Sequence, residues 1–118
     1  VEGNYKTSAF PAPVESVLMS GMFHRETEQQ CRELIAKGFD ALTSGGRMVI
    51  CDIFADAGGA SPAFAALFGL TMLLTAPDGT VHADADVAAW MRDRGIADVD
   101  VFHFPPPMPH RIVIGIKP

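Results

Sequence analysis

The sequence contains few cysteines and few charged residues, and these shortages argue against several classes of protein. Only two of its 118 residues are cysteines, Cys31 and Cys51, too few for a disulfide framework or a paired-cysteine metal site. The 9 basic residues are scattered among 14 acidic ones, which gives a net charge of −5. Such a chain has no broad cationic surface, so we expect neither a nucleic acid nor a membrane as its partner.

A long uninterrupted apolar segment is also missing. The most apolar charge-free stretch spans residues 60–76, but it is at the short limit for crossing a bilayer and contains proline, glycine, serine and threonine. The amino terminus does not show a basic segment followed by an apolar one, which is the pattern of a secretory signal. Both cysteines lie in apolar patterns typical of reduced core thiols, and we therefore expect a cytoplasmic protein.

The first half of the chain predicts a β-α-β unit. Val14–Ser20 has the apolar composition of a strand buried on both faces, and Arg47–Phe54 is a second predicted strand. Apolar residues recur at helical spacing between them. A strand, a helix and a strand in this order predict a parallel pair with a right-handed crossover.

The predicted helix between these strands has signals at both ends. Thr27, with Gln30 three residues later, matches a capping box at the start. The helical spacing continues to near Thr43, and the pair Gly45-Gly46 then offers the left-handed conformation that ends many helices.

The middle of the chain predicts an unusual second helix. Ser61 and Pro62 suit the N-cap and first helical position of a helix that runs to about Leu74. This helix has almost no polar face, and such helices are buried. We therefore expect it to close over a pocket or to pack against another chain.

The last third predicts a helix and a hairpin. Asp84 is the expected N-cap of a helix that Gly95 ends, and Val99–Phe104 and Arg111–Lys117 are predicted strands. A proline-rich turn at residues 105–109 joins them. No internal repeat or linker is visible, so residues 1–118 have the length of one domain, and we expect an α/β fold with a terminal β-hairpin.

His24 is the candidate catalytic residue with the clearest position. It follows the first predicted strand, and ligands of open α/β sheets bind outside the carboxyl ends of the strands. Histidine also suits proton transfer near neutral pH. A histidine that only completes a turn or caps the next helix fits the same position equally well, so the pattern leaves both interpretations open.

Asp52 lies at the end of the second predicted strand. Because adjacent parallel strands end at the same edge of a sheet, its carboxylate is expected near His24, where it would orient a base. A solvated or helix-capping acid is the alternative. The four histidines do not have metal-ligand spacing, and the G-x-S-x-G frame of a hydrolase nucleophile is missing.

Three segments together resemble the S-adenosylmethionine-dependent O-methyltransferases that act on hydroxyls of small molecules. They are Glu15–His24, Ala41–Asp52 and Met72–Gly79. The resemblance implies the C-terminal half of a Rossmann-like methyltransferase sheet and S-adenosylmethionine as cofactor. It also implies a hydroxylated, aromatic small molecule as substrate.

The resemblance also implies roles for particular residues. His24 matches the general base, and Asp52 stands where the family usually has a glutamate that holds this histidine. The remaining matches form two groups: Asn4, Tyr5 and Ser20 match cofactor-binding positions, and Phe64, Phe68 and Met72 fall on the substrate wall, where ordinary core packing is the alternative.

Several features depart from the family pattern. Arg25 stands where an aspartate is common, and Val81 takes the place of a second orienting acid, for which His82 or another group would have to substitute. The Gly-rich cofactor loop and its ribose-binding acid are missing from this sequence. The first predicted strand would pair with the strand of that loop, so we expect its edge to recruit a second copy, a swapped partner or a complementary N-terminal fragment.

Two other functions remain in view. A non-catalytic methyltransferase-like scaffold or assembly module would explain Val81 and the missing glycine loop. A piece of a nucleotide-dependent oxidoreductase fits less well, because this sequence has neither a catalytic Tyr-x-x-x-Lys motif nor a dinucleotide loop.

Overall fold

The computed structural model describes residues 2–57, 62–76, 78–105 and 107–118. In these ranges the chain forms four strands, three α-helices and a short 3-10 turn at Phe23–Arg25. The strands and helices follow in chain order as β1 Val14–Ser20, α1 Glu28–Ala41, β2 Leu42–Ile53, α2 Ala63–Thr75, α3 Asp84–Arg94, β3 Ala97–His103 and β4 His110–Ile116.

The strands form one mixed sheet in the order β1-β2-β4-β3. β1 and β2 are parallel, as the β-α-β pattern predicts, and β3 and β4 form the predicted antiparallel hairpin. β4 also pairs antiparallel with β2 and so joins the two halves. Helix α1 packs on β2 and on α3, while α3 packs on the hairpin. The main core lies between these helices and the sheet.

The start of α1 confirms the predicted capping box. The Thr27 side chain accepts a hydrogen bond from the Gln30 main-chain N–H at 3.2 Å, and the Gln30 side chain accepts one from the Thr27 N–H at 2.9 Å. Close helix-sheet packing occurs at Gly38, where an added Cβ would lie 2.9 Å from the terminal methyls of Met19 and Met48.

Helix α1 ends within two residues of the predicted Thr43, but the prediction that the glycine pair stops it was wrong. The helix ends at Ala41 and β2 begins at the next residue, so the glycine pair lies inside a strand. The reason is tertiary hydrogen bonding: Gly45 donates to the Lys117 carbonyl and Lys117 donates to the Gly46 carbonyl, at 2.7 and 2.8 Å. Gly45 does adopt a positive φ of 82°, but as an irregularity within β2.

The prediction that β1 is buried on both faces was also wrong. Met19 is its only buried residue, and Leu18 is 68% exposed. β1 is an edge strand that pairs with β2 alone among the described residues, and α1 covers one of its faces. The expected open edge is therefore present in this chain.

Helix α2 is largely exposed within this chain, so its predicted packing against another chain stays a prediction. Its only buried residue is Ala65. Ser61, the predicted N-cap, lies outside the described residues, and Pro62 occupies the N-cap instead of the first helical position. The described part of the chain covers only one side of the helix and leaves five large side chains exposed: Phe64, Leu67, Leu70, Leu73 and Leu74.

Helix α3 has Ala83 as its N-cap, although Asp84 was predicted for that position. The Asp84 carboxylate instead accepts a 2.8 Å hydrogen bond from Arg111, which occupies it in an ion pair. Gly95 ends the helix with a φ of 114°, as predicted.

Among the described residues, no helix is long and apolar enough to cross a membrane.

Candidate active site

His24 and Asp52 meet at the carboxyl ends of the parallel strands. His24 lies in the 3-10 turn after β1, and its ring Nδ1 is 2.9 Å from Asp52 Oδ1. The His24 main-chain N–H donates to Asp52 Oδ2 at 3.1 Å. The sequence predicted only that the Asp52 carboxylate lies near His24. The His24 side chain is 19% exposed and the Asp52 side chain is 3% exposed.

The pair has the arrangement of a base and its orienting acid. Asp52 accepts hydrogen bonds, so the neutral His24 ring carries its proton on Nδ1 and leaves a lone pair on Nε2. Among the described residues Nε2 has no hydrogen-bond partner. Asp52 Oδ1 also accepts from the Ile53 main-chain N–H at 2.7 Å, which holds the carboxylate in place.

Helix α2 supplies one of the predicted wall residues to His24. The Phe68 ring meets the His24 ring edge-to-face, with centroids 5.1 Å apart. Phe64 stacks on Phe68, with ring centroids 6.4 Å apart, and is half exposed. Met72 packs beside Gly79, where an added Cβ would lie 3.0 Å from the Met72 Cβ. Of the three predicted wall residues, all in the described part of the chain, only Phe68 has its ring against the histidine.

The three predicted cofactor residues do not form a single cluster. Asn4 is exposed, and its side chain caps the turn at Lys6 with a 2.9 Å hydrogen bond. Tyr5 donates its hydroxyl to Glu26 at 2.7 Å. Ser20 is exposed at the end of β1 and its Cα pairs with that of Cys51.

An apolar groove of about 450 Å³ connects the amino-terminal segment with β1. Tyr5, Phe10 and Met22 line it together with residues 16–19 of the strand. Asn4 lies beside this groove, in a smaller depression that Tyr5 and Phe10 also line. An apolar groove next to exposed strand-end groups suits a flat heteroaromatic ring with polar edges.

Sequence reasoning missed the buried acid Glu26. It is 1% exposed, accepts from Tyr5, and lies 3.3 Å from the Lys6 ammonium. The hydrogen bond to this carboxylate raises the pKa of the Tyr5 hydroxyl, with burial adding to the effect. No spacing signal identifies Glu26, because its partners come from a separate segment of the chain.

Val81 and His82, at the position where the family pattern has a second orienting acid, both have clear contacts. The Val81 side chain faces α2, where it lies 3.6 Å from the position of a Cβ added to Gly69. The next residue, His82, directs its Nε2 at two main-chain carbonyls, those of Phe23 at 3.1 Å and Glu26 at 2.8 Å. Its imidazole therefore contacts the backbone of the turn that carries His24. Arg25, the other departure from the family pattern, is exposed.

Cys31 and His82 form a cysteine-histidine pair that resembles a nucleophilic site, but the thiol is not activated. Cys31 Sγ lies 3.5 Å from His82 Nε2. Burial raises the pKa of this thiol to about 12, so it is neutral at physiological pH, and the residue is fully buried. Among the described residues, no group of three His, Cys, Asp or Glu side chains is arranged to hold a metal ion.

Two curated proteins are similar to nearly all of this chain. It is 33% identical over 107 residues to 3-hydroxy-5-methyl-1-naphthoate 3-O-methyltransferase of Streptomyces sahachiroi, covering 91% of this chain and 31% of that protein. It is 33% identical over 109 residues to the tetracenomycin polyketide synthesis 8-O-methyl transferase TcmO of Streptomyces glaucescens, covering 92% and 32% respectively. The chain thus spans about a third of the length of these relatives.

The fold is similar to that of solved methyltransferases. The apo crystal structure of the S-adenosylmethionine-dependent methyltransferase SibL superposes with a TM-score of 0.88 at 30% identity, over 98% of this chain and 34% of SibL. Residues 1–97 also match the sequence profile of the O-methyltransferase domain. The profile covers most of the sequence and includes both residues of the histidine-aspartate pair. The chain therefore belongs to the O-methyltransferase domain family.

Proposed function

We propose that this chain supplies the catalytic base for transfer of a methyl group from S-adenosylmethionine to a hydroxyl of a small aromatic molecule. The observation that carries the proposal is the contact between His24 and Asp52. It orients the ring through Nδ1 and leaves Nε2 open beside an aromatic side chain. Family membership gives this arrangement its chemical context.

In the proposed reaction, His24 Nε2 would accept the proton of the acceptor hydroxyl while the oxygen forms its bond to the methyl carbon, the bond from that carbon to the sulfonium sulfur breaks, and its electron pair goes to the sulfur. Asp52 stabilises the resulting imidazolium through Nδ1–H and keeps the ring in the productive orientation. Phe68 excludes water from one side of the ring. Asp52 thus acts as a positioning residue and His24 as the catalytic one.

The residues present fit one part of S-adenosylmethionine. The groove lined by Tyr5, Phe10 and Met22 is apolar enough for adenine, and Asn4 and Ser20 would supply polar contacts near it. When bound, the cofactor supplies an electrophilic methyl group on a positively charged sulfur. SibL, which superposes over almost the whole chain, is itself described as S-adenosylmethionine-dependent.

The proposed acceptor is a fused-ring phenol. The two curated relatives are named for methylation of a hydroxynaphthoate and of a tetracenomycin polyketide. Phe68 and the Phe64 ring stacked on it give α2 an aromatic surface next to His24, which suits such a substrate. Met72 completes the proposed wall one helical turn further along.

The remaining features of the proposal concern the whole protein. We propose that residues 1–118 act as the C-terminal part of a methyltransferase catalytic domain, together with a second copy or a complementary N-terminal fragment. The open edge of β1 and the apolar surface of α2 support such a partner. The two free cysteines support a reducing, cytoplasmic location.

The test uses the complete protein that carries this sequence. Methyl transfer from radiolabelled S-adenosylmethionine to hydroxynaphthoates and naphthols is measured for the wild type and for His24→Gln. We expect the variant to lose about 10²- to 10⁴-fold in kcat, the usual contribution of a general base. His103→Gln is the matched control, because that histidine is exposed at the hairpin. Equal activity of the wild type and His24→Gln would rule out His24 as the base.

The contact between Val81 and α2 favours a second candidate, a non-catalytic scaffold that retains the fold. An apolar side chain lies here where the resemblance leads us to expect an acid, and it packs towards Gly69. The same assay separates the two functions. A scaffold would transfer no methyl group to any phenol while the complete protein remains folded and binds its partner.

A further inference from the structure

We propose that His82 is a positioning residue for His24, holding the turn Phe23–Glu26 through its main-chain carbonyls. The proposal rests on the proposed role of His24 as the base. His82 would thus help to hold His24 in place, which the apolar side chain of the neighbouring Val81 cannot do by hydrogen bonding. His82 would act on the backbone of the turn, without touching the His24 ring.

The geometry of the contact defines what the His82 ring must do. Nε2 lies 3.1 Å from the Phe23 carbonyl oxygen and 2.8 Å from the Glu26 carbonyl oxygen. Carbonyl oxygens only accept hydrogen bonds, so His82 Nε2 must carry a proton and donate it between them. These two carbonyls flank His24 and Arg25, and one N–H therefore ties together both ends of the turn.

A second contact fixes the residue between those ends. The Thr80 main-chain N–H donates to the His24 carbonyl at 2.9 Å. The segment is anchored in turn to the residues that follow β2, because the Ala55 N–H donates to the His82 carbonyl at 3.0 Å. Residues 80–82 thus connect the His24 turn to the strand that carries Asp52.

The His82 ring is itself packed against helix α3. Trp90 of α3 meets it edge-to-face, with centroids 5.4 Å apart, and Trp90 is 6% exposed. The neighbouring Cys31 thiol is neutral and does not compete as an anion for the His82 proton. The ring is therefore oriented before any ligand binds, as a positioning group requires.

Loss of this N–H would leave the two carbonyls with the longer contacts of the Cys31 thiol, at 3.7 and 3.9 Å, as their side-chain donor and would loosen the turn. His24 Nδ1 and Asp52 Oδ1 are 2.9 Å apart only while the turn keeps its present position. A small displacement of a catalytic group is enough to lower a rate strongly. The expected consequence is poorer catalysis with little change in acceptor binding.

The experiment compares His82→Gln with His82→Asn in the complete protein. The glutamine amide extends about as far as Nε2 and can donate to both carbonyls, whereas the asparagine amide is one bond shorter. We expect His82→Gln to keep kcat near the wild-type value and His82→Asn to lose about 10- to 100-fold, with KM for the acceptor changed little in either. His103→Gln and His103→Asn are the matched controls at an exposed histidine.

A second readout does not depend on methyl transfer. In protein with ¹⁵N-labelled histidine, the His24 Nδ1–H bonded to Asp52 should give a downfield proton signal, identified by its loss in His24→Gln. We expect this signal to persist in His82→Gln and to broaden or vanish in His82→Asn.

If both amide variants keep the signal, or both lose it, the proposed donor role of His82 is wrong. This outcome is distinct from failure of the proposed function, in which the protein has no methyltransferase activity whatever the state of the signal. Thermal unfolding of each variant confirms that the compared proteins are folded.

Discussion

The Asp52 carboxylate binds His24 twice, through the ring and through the backbone. Oδ1 lies 2.9 Å from the ring Nδ1, and Oδ2 accepts from the main-chain N–H at 3.1 Å. One acid thus fixes both the position of the residue and the rotation of its ring. This double contact gives the site a well-defined direction for Nε2 even though the expected second acid is replaced by Val81.

Asp52→Asn should remove the orienting charge while preserving the size of the side chain. The asparagine amide nitrogen would favour the opposite ring tautomer, with the proton on Nε2, where it cannot accept one from the substrate. We expect kcat to fall about 10²- to 10⁴-fold, with KM for the acceptor changed much less. Steady-state kinetics of methyl transfer by the complete protein measure both quantities.

The matched control is Asp40→Asn, which removes an exposed carboxylate from an ion pair with Arg94. It should leave kcat unchanged and alter stability by less than about 1 kcal/mol. If Asp52→Asn behaved like this control, the aspartate would have no positioning role.

Local signals in the sequence predicted the β-α-β unit well. The strand Val14–Ser20, the capping box at Thr27 and the end of α3 at Gly95 all depend on residues close together in the chain. The proximity of His24 and Asp52 also follows from a simple rule, because parallel strands end at the same edge. These features therefore need no information about distant packing.

The predictions that the structure contradicts depend on contacts between residues far apart in the chain. Gly45 is a good helix terminator in isolation, but hydrogen bonds with residue 117 draw its segment into β2. Burial of β1 on both faces was inferred from composition, which cannot reveal whether a partner element lies within the same chain. The contact of His82 with the turn joins residues more than fifty positions apart, and no sequence pattern reports it.

Phe68→Leu should affect the proposed reaction more than Phe64→Leu. Phe68 meets the His24 ring, whereas Phe64 stacks on Phe68 and is half exposed. An edge-to-face contact contributes about 0.5–1.5 kcal/mol, so we expect kcat/KM for a naphthol to fall about 2- to 10-fold in Phe68→Leu. Equal effects of the two substitutions would contradict the assignment of Phe68 to the site.

The exposed surface of α2 predicts that the isolated chain self-associates. Leu73 and Leu74 are 73% and 76% exposed and belong to a run of apolar side chains that a monomer would leave in water. Light scattering of the 118-residue chain should show a species larger than a monomer. Leu73→Glu should shift it towards the monomer, while Ala89→Glu on the exposed side of α3 should not. A strictly monomeric wild type would contradict this prediction.

The buried Cys31 thiol should make stability depend on alkaline pH. Burial raises its pKa from the ordinary value of 9.0 to about 12, so the folded protein keeps the thiol proton over a range in which the unfolded chain loses it. The raised pKa contributes stability that is fully present below pH 9 and is lost as the pH rises from 9 to about 12. Each pH unit in this window should cost about 1.4 kcal/mol.

Comparison with Cys31→Ala isolates this contribution, because the variant lacks the thiol in both states. Denaturant unfolding should show that the stability advantage of the wild type over Cys31→Ala is about 1.4 kcal/mol smaller at pH 10 than at pH 8. Cys51→Ala provides the matched comparison. Burial also raises the pKa of the Cys51 thiol, but this residue is only partly buried, so its pH-dependent change should be smaller. An advantage that stays constant between pH 8 and pH 10 would mean that the Cys31 thiol ionises as readily in the folded protein as in the unfolded chain.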